Sequence, residues 1–180
     1  IAAGIREPTL NAWLGGHHAI VRAMPNTPAM VGSGATALYA NSQVTKQQHN
    51  LAESIMRAVG LAVWVDDEAQ MDVVTALSGS GPAYFFLVME ALEKAAVDLG
   101  LPAGTAHLLT LQTACGAAKI ALASNESTTA LRMRVTSPGG TTEQAIKVLQ
   151  EGHTQQLFCA ALLAAHRRSA DLAELLGASR

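Results

Sequence analysis

The stretch Thr136-Ser137-Pro138-Gly139-Gly140-Thr141-Thr142-Glu143-Gln144 holds the densest set of groups able to bind a small anion. Two adjacent glycines let a ligand approach the backbone closely, and Thr141 with Gln144 three residues on is the capping-box pattern that opens a helix. Such an opening gathers first-turn N–H groups, the positive end of a helix dipole and Ser/Thr hydroxyls around one point, which suits a carboxylate. The same pattern also serves a plain helix-to-helix turn with a good cap, and the spacing alone leaves both readings open.

Two further stretches invite attention. Leu77-Ser78-Gly79-Ser80-Gly81-Pro82-Ala83-Tyr84 is a Gly-rich entry into an apolar helix. No lysine follows its glycines, so tight packing explains it better than phosphate binding. Met24-Pro25-Asn26-Thr27-Pro28 follows a predicted strand. A rigid loop at the carboxyl end of a strand lies on the ligand-binding edge of an α/β sheet, although Asn-Thr-Pro is also ordinary turn chemistry. Paired carboxylates and Ser/His/Asp or Cys/His constellations are missing from the sequence. Cys115 and Cys159 stand alone in Ala/Leu-rich contexts and are expected as buried, reduced thiols. Adjacent His17 and His18 would point to opposite faces of a strand, so no metal site is expected.

These stretches need elements to hold them. Ala19–Met24, Ala35–Ala40 and Leu61–Val65 read as short buried strands, with a helix over Thr45–Val59 stopped by Gly60. Ile1–Ile5 reads as the end of another buried strand. From about Glu68 onward the strand signals vanish, and helices are predicted over Pro82–Leu99, Pro102–Ser124 and about Thr154–Leu176, two of them opened by a proline. In the first of these, apolar residues cover most of the circumference, and in the second Lys119 is the sole formal charge; both helices require burial on several sides.

Composition narrows the function classes. Lys and Arg number 12 and Asp and Glu 14, for a net charge of −2, so there is no footprint for nucleic acid or an anionic membrane. Charged residues make up 14% and apolar residues 49%, yet no uninterrupted apolar run approaches the ~20 residues of a bilayer span. So few charges imply that part of the surface is covered in an oligomer.

Ala2-Ala3-Gly4, Met24–Pro28, Gly34-Ala35, Leu77–Tyr84 and Thr136–Thr142 together resemble pyrroline-5-carboxylate reductase in order and spacing, with Ser-Pro-Gly-Gly-x-Thr the most specific element. The resemblance implies an α/β remnant of a Rossmann-type domain over residues 1–66, then an all-α dimerisation and substrate-binding domain over 67–180, mostly helical overall. The Gly-rich pyrophosphate loop of such a domain is missing, so the chain reads as the C-terminal two-thirds of the enzyme and is expected to be inactive alone. The implied reaction is reduction of 1-pyrroline-5-carboxylate to L-proline by hydride from NADPH or NADH, the last step of proline biosynthesis. A cytoplasmic homodimer, with decamers common in the family, is implied too.

By the same resemblance the substrate carboxylate rests on the backbone of Gly139, Gly140, Thr141 and Thr142 with help from Ser137, and the Thr142 hydroxyl bonds the ring nitrogen as the catalytic contact. Ala3, Pro25, Asn26, Thr27 and Glu68 fall near the nicotinamide. Arg134 departs from the family, some members of which have Asn there. Two alternatives compete. The chain could be a helical oligomerisation module only, or it could resemble the β-hydroxyacid dehydrogenases, whose Gly-x-Gly-x-x-x-Lys-x-x-x-Asn pattern would need ionisable or amide groups where Phe85 and Met89 stand.

Overall fold

The computed structural model describes residues 4–177. The expected strand at Ile1–Ile5 therefore falls largely outside the described residues, and Gly4 is in a turn with φ +85°. Chain order is α1 (Glu7–Trp13), β1 (Val21–Met24), a 3₁₀ turn (Thr27–Val31), β2 (Gly34–Ala40), α2 (Lys46–Arg57) and β3 (Gly60–Trp64), then α3 (Gln70–Val74), a π turn (Thr75–Gly79), α4 (Gly81–Asp98), α5 (Ala103–Ala123), α6 (Thr128–Arg134), α7 (Thr141–Glu151) and α8 (Thr154–Gly177). The three predicted strands and the long predicted helices are all present within a residue or two. The short elements α1, α3 and α6 carry too few turns to leave a periodic signal.

The sheet has the order β1-β2-β3, with β1 antiparallel and β3 parallel to β2. β2, α2 and β3 form the crossover that a parallel pair requires. α2 starts at a full capping box: the Thr45 hydroxyl accepts the Gln48 N–H, and the Gln48 side chain accepts the Thr45 N–H. Its C-terminal end is tied to β3 through Glu53, which accepts from the Trp64 indole at 2.9 Å and from Arg57 at 2.7 Å. Leu51 and Ile55, the apolar stripe that marks this helix in the sequence, are exposed.

Two compact units emerge. The first comprises residues 1–83 and 159–180, and the second residues 84–158. The division does not follow the strand-to-helix change at 66/67, because the first helical segments belong to the strand-bearing unit. Met71 and Ala76 are buried there, and Asp72 accepts the buried Ser169 hydroxyl at 2.6 Å while pairing with Arg6 at 3.7 Å.

Thr36 of β2 is 1% exposed, and its hydroxyl has no hydrogen-bond partner. A buried hydroxyl without a partner costs roughly 1–3 kcal/mol, and valine has the same shape with a better fit to a strand. Thr36→Val is expected to stabilise the protein by about 1 kcal/mol in urea unfolding, and equal or lower stability would contradict this account.

The long helices are mostly uncovered by the chain itself. Phe85 and Phe86 of α4 are 69% and 64% exposed, and Leu122 of α5 is 86% exposed. Cys115 and Cys159 are exposed too, contrary to expectation, because the helix faces that carry them have no cover within one chain. Gln70–Asp98 is long and apolar enough to cross a membrane by length and composition, with a mean hydropathy of 1.2 over an 18-residue stretch of it, although polar residues interrupt it. One such helix is weak evidence of a span, because a helix buried between subunits has the same composition.

Candidate active site

The stretch expected to hold an anion lies in the second unit, between α6 and α7. Its centre is a four-residue turn in which the Gly140 N–H donates to the Ser137 carbonyl at 3.0 Å. Gly139 adopts φ +71°, the left-handed value that the third position of a type II turn needs, and Pro138 precedes it in the second position, where proline is favoured.

The helix begins one residue earlier than the Thr141–Gln144 spacing implied. Gly140 is the N-cap, with φ −80° and ψ 168°, and no side chain caps it. The expected capping box is not formed, because Thr141 already has a helical position from which its hydroxyl does not reach forward to the third-residue N–H. Glu143 turns back instead and accepts the Gly139 N–H at 2.8 Å.

This changes the expected carboxylate cradle. Of its four backbone donors, Gly139 gives its N–H to Glu143 and Gly140 gives its own to Ser137. Thr141 and Thr142 occupy the first two helical positions, whose N–H groups have no carbonyl one turn before them inside the helix. Those two N–H groups, with the Ser137 and Thr142 hydroxyls, are the donors suited to an anion. Thr142 is half-buried, while Ser137 and Thr141 are exposed. Arg134, at the end of α6, pairs with Glu126 at 2.5 Å on the surface.

The expected cofactor residues belong to the first unit, apart from Ala3, which lies outside the described residues. Pro25 and Asn26 are half-buried and Thr27 is exposed. Asn26 accepts the Ala35 N–H at 2.8 Å and donates to the Ser78 carbonyl at 3.1 Å, so this loop and the Gly-rich stretch meet. Glu68 accepts from Arg22 of β1 and from the Glu7 N–H at the start of α1, both at 2.5 Å. Loss of hydration and then the Glu68 carboxylate raise the pKa of the neighbouring Tyr39 phenol above its ordinary 10.0. Arg22 is not among the residues the motifs single out, though an arginine inside an apolar strand signals a partner acid, here the half-buried Glu68. Among the described residues no cluster of three or more His, Cys, Asp or Glu could hold a metal.

Residues 68–172 match the family model described as pyrroline-5-carboxylate reductase dimerisation. The chain belongs to the pyrroline-5-carboxylate reductase family. It is 56% identical over 177 residues to the pyrroline-5-carboxylate reductase of Pseudomonas aeruginosa, covering 98% of this chain and 65% of that protein. A Haemophilus influenzae relative is 46% identical, with 79% of this chain and 53% of the relative covered. The chain thus spans about half to two thirds of the length of these curated relatives.

A solved pyrroline-5-carboxylate reductase from Coxiella burnetii superposes with a TM-score of 0.93 at 58% identity, over 96% of this chain and 64% of that one. A Plasmodium falciparum pyrroline carboxylate reductase, solved with NADP bound, gives 0.88 at 30% identity, over 95% of this chain and 68% of that one. Family membership accounts for the mixed architecture of a partial α/β layer followed by helices. It also removes the β-hydroxyacid dehydrogenase alternative, whose lysine position is held here by Phe85, an exposed side chain of α4.

Proposed function

We propose that this chain supplies the substrate-binding and dimerising part of a pyrroline-5-carboxylate reductase, which reduces 1-pyrroline-5-carboxylate to L-proline with hydride from NADPH or NADH. The observation that carries this reading is the turn into α7, where the left-handed Gly139 and the bare Gly140 cap open a helix whose first two N–H groups have no intrahelical partner, in a stretch that also carries the Ser137 and Thr142 hydroxyls. A five-membered ring carboxylate needs such a compact anion site. The cyclic imine accepts a proton readily, so the protein's task is alignment, and the hydride chemistry belongs to the nicotinamide. Thr142 orients the ring nitrogen by a hydrogen bond, which fits a sequence with no strong acid–base pair.

Residues 1–66 then serve as the end of the nucleotide domain and 67–180 as the dimerisation domain, a division supported by a family match that begins at residue 68. The loop suits the nicotinamide end of a cofactor: Asn26 fixes its backbone, and the exposed Thr27 hydroxyl suits a carboxamide. Glu68, spent on Arg22 and Glu7, contributes by fixing the strand that leads into Pro25. The uncovered apolar faces of α4 and α5 support a homodimer, with decamers as the further assembly, and the net charge of −2 offers neither nucleic acid nor an anionic membrane a surface. An enzyme of amino-acid biosynthesis acting on a soluble metabolite has its place in the cytoplasm.

The test is Thr142→Ala in the intact protein. It removes one orienting hydroxyl and is expected to lower kcat/KM by about 0.5–3 kcal/mol, with proline binding as a competitive ligand largely kept. Full activity in this variant would remove Thr142 from the reaction, and absence of NADPH-dependent reduction by a full-length wild-type enzyme that contains this chain would remove the whole proposal.

A further inference from the structure

We infer that Asn26 is a positioning residue, which ties the Pro25–Pro28 loop to the π turn at Thr75–Gly79. The inference rests on the proposed reductase function, in which that loop faces the nicotinamide, but its structural part stands alone. Both ends of the Asn26 amide are spent on backbone groups, Oδ1 on the Ala35 N–H at 2.8 Å and Nδ2 on the Ser78 carbonyl at 3.1 Å. Chemistry fixes this orientation, since an N–H must meet the oxygen and a carbonyl must meet the NH₂ group. Aspartate accepts but, when ionised, does not donate, and alanine does neither.

The junction is closed from a second side. A Cβ placed on Gly79 would lie 2.7 Å from the Met24 methyl, so the residue before Pro25 packs directly on the last residue of the π turn. The turn itself is held by the Ser80 N–H on the Thr75 carbonyl at 2.9 Å, and by the Thr75 and Ser78 hydroxyls on the Met71 and Val74 carbonyls. Single π turns inside helical runs are frequent at functional sites. Here the π turn brings the Ser78 carbonyl to Asn26, and Asn26 in turn fixes the backbone that follows β1. One Nδ2 hydrogen and one Oδ1 lone pair remain, but the two backbone bonds already fix the plane of the amide. As a tie it sets where the loop stands, and alignment errors of about 1 Å cost hydride-type reactions up to about a hundredfold.

The test uses Asn26→Ala, Asn26→Asp and Gly79→Ala in the intact protein, with amide hydrogen exchange of the apo form and kinetics with NADPH. In Asn26→Ala the Ala35 amide is expected to exchange at least about tenfold faster, as a freed N–H does, while in Asn26→Asp it stays within about threefold of wild type. Both variants are expected to lose about tenfold or more in kcat, with the NADPH Kd within about threefold, because both lose the tie to Ser78. In Gly79→Ala the added methyl meets only the tip of the flexible Met24 side chain, which turns aside, so this variant is expected to keep kcat and Ala35 exchange within about threefold of wild type. Unchanged Ala35 exchange in Asn26→Ala, wild-type kcat in Asn26→Asp, or a tenfold weaker NADPH Kd at constant kcat would each overturn the inference. If the full-length wild-type enzyme shows no NADPH-dependent turnover, the proposed function fails, and the exchange pattern alone decides whether the tie exists.

Discussion

Phe86→Asp is expected to turn the proposed dimer into a folded monomer. Phe86 lies in α4 with 64% of its surface exposed in the single chain, so the change removes little of the chain's own packing. In a dimer that covers α4 the new carboxylate would be buried without a partner. That costs at least about 4 kcal/mol, roughly a thousandfold in the dissociation constant. Light scattering at micromolar concentration is expected to give half the wild-type mass, with helical circular dichroism kept. A wild-type protein that is already monomeric, or a variant that keeps the wild-type mass, would show that this face of α4 is not the dimer surface.

Gly139→Val is expected to weaken carboxylate binding by at least about tenfold while leaving α7 and the oligomer intact. At φ +71° a β-branched residue is strained, and the cost of holding it there is about 1–3 kcal/mol. The turn therefore gives up its conformation, and with it the placement of the Thr141 and Thr142 N–H groups. Proline affinity, measured by calorimetry on the intact protein, is expected to fall by at least about tenfold. Nothing crowds a Cβ at this position, so the effect comes from the dihedral and not from bulk. Asparagine tolerates left-handed backbone, so Gly139→Asn is expected to recover most of the binding. Equal loss in both variants would point to steric exclusion and contradict the argument.

Gly140 behaves differently. Its φ of −80° suits any residue, but an added Cβ would come within 3.0 Å of the Ser137 carbonyl that its own N–H bonds, so substitution there acts by crowding the turn. The two glycines look equivalent in the sequence, and only the turn distinguishes one as a dihedral requirement and the other as a close approach.

What the sequence determined by itself is what short-range physics specifies. Thr45 with Gln48, Pro82 and Pro102 at helix starts, and alternating apolar runs each act within a turn or two, and the helices and strands they announce are in place. The family resemblance was legible for a related reason, since its motifs are contiguous stretches whose residues need no knowledge of the fold.

Only the tertiary structure decided which groups are spent and which face outward. Asn26 bonds a carbonyl 52 residues away, Ser169 bonds Asp72 97 residues away, and Glu68 joins Arg22 across 46 residues. No periodicity records such pairs. Even the shift of the α7 cap from Thr141 to Gly140 depended on how the turn before it closed, and this reduced four expected anion donors to two. The apolar stripes of α4 and α5 told that burial was needed, but whether one chain could provide it depended on what else packs there. Hydrophobic patterning specifies that a face must be covered, and a single sequence does not specify by what.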